Sequence, residues 1–152
     1  MKIISLSLIT LTAFWMNSCS KSKHQAHDHP EEESHHHVHS SLMGGTLIEI
    51  GDHAFNIEFL KKENGVWSLY ILDAHAENFV RIKSPQIDAF WVDGGLKTPI
   101  QFQAIANPAT GETVGETSQF DFEAIDANAS GEILIPSLKI STKEFVDVRI
   151  EL

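Results

Sequence analysis

Ala54-Phe55-Asn56-Ile57-Glu58-Phe59-Leu60-Lys61-Lys62-Glu63-Asn64-Gly65-Val66-Trp67-Ser68-Leu69-Tyr70-Ile71-Leu72 is two short runs joined by a turn. In the first run Phe55, Ile57 and Phe59 alternate with Asn56 and Glu58. In the second, Trp67, Leu69 and Ile71 fall on one side. Successive side chains of a strand point to opposite faces, so a period of two marks a half-buried strand. Asn64-Gly65 supplies residues that tolerate the positive φ of a tight hairpin. The stretch therefore predicts an antiparallel hairpin with one apolar and one wet face.

The same grammar extends in both directions. Thr46 to Ile50 ends at Gly51-Asp52, Phe79 to Ile82 forms a short run, and Gln86 to Val92 stops at Asp93-Gly94-Gly95. Ile100, Phe102 and Ala104 line one side of the next run. The segment 107–118 is a polar loop or hairpin tip, and Phe120, Phe122 and Ala124 alternate after it. Glu132 to Ile140 is interrupted by Pro136, which marks an edge or a bulge. In the last run Val146, Val148, Ile150 and Leu152 alternate with charged residues. About nine short strands with no helical period predict an all-β domain over 45–152. Two wet-faced sheets bury their apolar faces against each other, so a single immunoglobulin-like antiparallel β-sandwich is expected, with a small β-barrel as the alternative. The cysteine and tryptophan pattern of antibody domains is absent, so this expectation is architectural. Trp67, Trp91, Phe55, Phe90 and Phe120 are expected in the core.

The chain upstream of residue 45 has another character. Met1-Lys2 precedes a mostly apolar run, Ile3 to Met16, of the length of a signal-peptide core and too short to span a bilayer. It closes on Met16-Asn17-Ser18-Cys19, just before a polar stretch. This looks like a bacterial lipoprotein signal, although Met16 stands where leucine is usual. The resemblance implies removal of residues 1–18 and acyl chains on Cys19, the only cysteine of the chain. More than one acyl chain gives stable membrane anchoring. The expected location is the bacterial cell envelope, lipid-anchored and facing the periplasm or the exterior.

Residues 19–44 are expected to form a disordered tether, since Ser20 to Ser41 offers almost no apolar surface to offset its ordering entropy. It holds seven of the nine histidines: His24, His27, His29, His35, His36, His37 and His39, interleaved with Asp28, Glu31, Glu32 and Glu33. Neutral imidazole is the common ligand of zinc, copper(II) and nickel. The H-x-H pairs His27/His29 and His37/His39, and His35/His39 one helical turn apart, give several ways to gather donors on one ion. Calcium and magnesium prefer oxygen cages. Affinity is expected to fall as pH drops through about 6.5, where protons compete for imidazole. A plain tether is the alternative role.

Two histidines lie inside the β domain. His53 sits in the Gly51-Asp52-His53 turn and His75 in Asp73-Ala74-His75-Ala76-Glu77. With Asp52, Asp73 or Glu77 they are possible additional metal ligands; the alternative is two surface or hydrogen-bonded turn histidines. The stretch Asp73 to Ile82 is expected to fold over an edge of the sandwich. No nucleophile–base pair stands in a catalytic context, so a binding protein rather than an enzyme is expected. Eleven Lys and Arg against 21 Asp and Glu, a formal charge of −10, argue against nucleic acid and suit a cation-attracting protein.

From His39 to Leu72 the order of features is Gly44-Gly45-Thr46-Leu47, then Glu49-Ile50-Gly51-Asp52-His53-Ala54-Phe55, Glu58-Phe59 and Leu69-Tyr70-Ile71-Leu72-Asp73. This resembles the small β domain preceding the main body of some periplasmic adaptor subunits of heavy-metal efflux pumps. It is also similar to exported histidine-rich lipoproteins. The resemblance implies periplasmic metal handling, with an efflux or envelope protein as partner. The helical hairpin, lipoyl-like domain and barrel of an adaptor do not follow, which implies a sensor or feeder module instead.

Overall fold

The computed structural model describes residues 39–124 and 129–152. Eight strands form one antiparallel sheet: β1 (Thr46–Ile50), β2 (Phe55–Lys61), β3 (Val66–Leu72), β4 (Gln86–Asp93), β5 (Leu96–Ala104), β6 (Gln119–Glu123), β7 (Glu132–Ile140) and β8 (Lys143–Glu151). Their order is β1-β2-β3-β6-β5-β4-β7-β8. The hairpin-linked strands β4, β5 and β6 have β3 beside one flank and β7 beside the other. The arrangement is two overlapping Greek keys. The sheet is nearly closed. Phe55, at the start of β2, and Phe145, on the outer strand β8, meet edge to face with ring centroids 5.9 Å apart. Gly51, at φ +66, lets the Phe145 ring come close; any Cβ there would collide with it.

The all-β expectation holds, and the hairpin read from the sequence is present. Lys62 donates its N–H to Val66 O at 2.8 Å, with Gly65 at φ +82. Phe79 to Ile82 differs. It makes isolated bridges, Leu72 to Phe79 and Ile82 to Thr117, rather than a ninth strand. There Val80 donates its N–H to Ile71 O, beside the edge of β3 that β6 has left.

The inner face of the sheet is the core. Ile57, Trp67, Leu69, Ile71, Phe102, Phe120, Ile133, Ile135, Ile140 and Ile150 are all essentially inaccessible. Trp67 and Phe120 lie where expected, whereas Phe55, Phe90 and Trp91 are half-buried at the margins. Along β7 the buried phase switches from Ile133 and Ile135 to Leu138 and Ile140. Opposite, Val148 and Ile150 point inward while Val146 is 68% exposed. The expected alternation through Val146 therefore breaks, and the physical cause is a kink. Pro136 has no N–H for the ladder, and Asp147 across from it takes φ 52, so both strands change face at that level.

The long β5–β6 connection is fastened by Glu112, which is nearly buried. Ser118 donates its N–H at 2.9 Å and its Oγ at 2.6 Å to one carboxylate oxygen, and Thr110 Oγ1 bonds the other at 2.6 Å. Burial pushes this carboxyl upward, but the hydrogen bonds from Ser118 and Thr110, with the Arg81 charge, outweigh it and hold it below the usual range. A carboxyl lowered in the folded state contributes stability above its unfolded pKa, and that contribution is lost as pH falls through the folded value. In urea titrations at decreasing pH, Glu112→Gln is expected to flatten the acid-side loss of stability seen in the parent chain. Equal acid slopes for the two proteins would refute this role.

Candidate functional site: a histidine pair over the outer face of β2 and β3

The outer face of the first hairpin is expected to be wet, yet Asn56, Glu58, Ser68, Tyr70 and Leu72 are all buried there. Two segments cover it, and each carries a histidine. The first is His39 to Gly45, held by the carboxylate of Glu58. Leu42 donates its N–H to Oε2 at 2.9 Å, while Met43 and Gly45 donate to Oε1 at 2.8 and 2.7 Å. Three convergent N–H donors satisfy a carboxylate that is 0% exposed. The Gly45 backbone passes so close to the Phe59 carbonyl that a Cβ would clash with it. The expected junction between tail and domain, at 44–45, falls inside this fastened segment.

The second cover is Asp73 to Ile82. Asn56 Nδ2 donates to the carbonyls of Asp73 and Ala74 at 2.9 and 3.1 Å. Asp73 Oδ1 accepts the N–H of Glu77 at 2.9 Å, and Oδ2 accepts from Asn78 Nδ2 at 2.7 Å. Slight burial pushes the Asp73 carboxyl up, but its bonds to Asn78 and the loop N–H groups hold it below the usual range. Ala76, at φ 55, completes the turn. The Phe79 ring packs on Tyr70, with centroids 5.9 Å apart. His75 thus projects from a loop fixed by side-chain–backbone bonds, an Asx-type turn.

The two covers bring His39 and His75 together. Their ring centroids are 5.9 Å apart and their planes are inclined by 58°. With zinc–nitrogen bonds of about 2 Å and tetrahedral angles, two imidazoles on one ion have centroids about 5 Å apart, a spacing close to that of this pair. His75 is exposed and His39 half-buried, which leaves the pair open to ions from solvent.

His53 has a different neighbour. Its Nδ1 lies 2.8 Å from Glu49 Oε2, and its N–H donates to Oε1 at 3.1 Å. The carboxylate stabilises a turn in which Asp52 and His53 both take positive φ. Asp73, expected as a possible ligand, has both oxygens committed to its own loop. Among the described residues no three His, Cys, Asp or Glu side chains gather about one point. Cys19, His24, His27, His29, His35, His36 and His37 lie outside the described residues, as does the signal segment 1–18. The sequence pattern gave no sign of Glu58 and Asn56, which position the pair, because each reads as an ordinary wet-face residue.

No protein-family model, curated protein or solved structure matches the chain.

Proposed function

We propose that the chain is an exported lipoprotein of the bacterial cell envelope, anchored through acyl chains on Cys19, that binds divalent zinc, copper or nickel. It buffers the metal or hands it to an efflux or envelope protein. The observation that carries this reading is the meeting of His39, last of the seven clustered histidines, with His75 of the β domain. His24, His27, His29, His35, His36 and His37 supply donors in the tail, and His39 with His75 supplies a pair held by folded structure. Two protein ligands leave coordination positions to water, which favours exchange over permanent storage. The chain's net charge of −10 adds a general attraction for cations.

The test is a calorimetric titration of the full chain with zinc, nickel and copper(II), beside two variants. One has all six histidines from His24 to His37 replaced by alanine; the other carries His39→Ala with His75→Ala. The six-fold variant is expected to retain one ion per chain, and the double variant to lose that ion while keeping tail binding. If the parent chain binds none of the three metals, the metal reading is wrong. The chain would then be an interaction module on a tether.

A further inference from the structure

We infer that the cleft between β4 and β7 accepts an extended, carboxylate-bearing segment of a partner protein as an added strand. β4 and β7 pair only where Phe90, Trp91 and Val92 face Leu134, Ile133 and Glu132. Beyond Leu134 the kink at Pro136 and Asp147 carries the rest of β7 away, paired with β8 alone. The parting strands leave a cleft of about 860 Å³.

Its walls present free backbone groups. Ala104 donates its N–H to Pro85 O at 3.0 Å. Stepping by two, Ile87 and Ala89 bond β5, and the peptide groups of Gln86 and Asp88 point toward β7. The Gln86 carbonyl accepts from Ser84 Oγ. The Asp88 peptide group lies beyond the last paired residues of β4 and β7, Phe90 and Leu134. Across the cleft, the two-residue turn after Ile140 makes Ile140 and Lys143 the closing bonded pair. The peptide groups of Ser137 and Lys139 therefore face the cleft. Two such edges are a template for a strand, whose N–H and C=O groups would satisfy both.

Charge selects the strand. Arg81, Lys83 and Lys139 line the cleft against Asp88 and Glu116, on a chain whose overall charge is strongly negative. Arg81 is bonded to the Thr110 carbonyl and lies 3.8 Å from Glu112. Asp88 Oδ1 accepts from the amides of Gln86 and Gln101. Lys83 and Lys139 make no ion pair among the described residues and remain to meet carboxylates on the incoming strand.

The probe is a fluorescein-labelled peptide of alternating valine and glutamate, added to the full chain and followed by anisotropy and amide exchange. Saturable binding is expected, with added protection at the amides of Asp88, Ser137 and Lys139. Lys83→Glu with Lys139→Glu should weaken binding by about tenfold or more, since both side chains are exposed and their charges meet the peptide. Three results would each overturn the inference: no saturation at millimolar peptide, equal binding of a valine–lysine peptide, or indifference to N-methylation of alternate peptide amides. The exchange measurement needs no variant, so it decides even if the double substitution unfolds the domain. A chain that binds no metal yet passes this test would leave the inference standing.

Discussion

Replacing Glu58 with alanine is expected to lower the unfolding free energy by about 3 kcal/mol and to release the segment from His39 to Gly45. The carboxylate is fully buried and is the shared acceptor for the N–H groups of Leu42, Met43 and Gly45. Hydrogen bonds to a charged acceptor are worth more than neutral ones, and truncation strands all three donors at once. Glu58→Gln keeps the size but brings an amide N–H₂ toward donors, so it should fall between the parent and alanine. Urea unfolding gives the stability, and limited proteolysis across 39–45 reports the release. A change of less than about 0.5 kcal/mol would mean that the three bonds are replaced by water without cost. Since His39 rides on this segment, Glu58→Ala should also weaken any metal held by His39 and His75, while leaving the six histidines upstream unaffected.

Trp67→Ala is expected to cost about 3–5 kcal/mol, the largest effect of any single substitution considered for this chain. The indole is 1% exposed and stands at the centre of an aromatic cluster. Phe59, Trp91 and Phe122 meet it edge to face at centroid distances of 6.0, 6.3 and 5.8 Å, and Lys61 Nζ lies 5.6 Å from the ring centroid. Alanine would leave a void that these neighbours, fixed on three different strands, cannot collapse to fill. Trp67→Phe should cost much less than half as much. Among the described residues the buried indole N–H has no hydrogen-bond partner, so its removal relieves a desolvated donor while most of the ring volume stays. If phenylalanine proves as costly as alanine in urea unfolding, the indole N–H has a partner and this account of it is wrong.

Much of the sheet was legible because alternation reports which side chains share a face. Ile57 and Phe59 with Trp67, Leu69 and Ile71 read as one apolar side, and they are one. The Asn64-Gly65 and Gly94-Gly95 turns were legible for a similar reason, since few residues accept positive φ. Legibility failed where the deciding residue carried no such mark. Asp147 takes a left-handed conformation that its identity does not announce, so Val146 looked like a core residue and is on the surface. Glu58 and Asn56 looked solvated because alternation says nothing about what lies over a face. For the candidate site, the sequence indicated the residue types, His39 and His75 among them, and left their meeting open.

The all-β character of the domain follows from local sequence, through the period of two and the turn residues that punctuate it. Those are local properties, set by backbone sterics within a few residues. Tertiary structure alone decided the order of the strands, the split between β4 and β7, and the pairing of His39 with His75. Each depends on contacts between segments distant in the chain: Pro136 against Asp147, Glu58 against Leu42 to Gly45, and Asn56 against Asp73 and Ala74. Such contacts are chosen by the burial of one segment against another, a free energy that no short window of sequence contains.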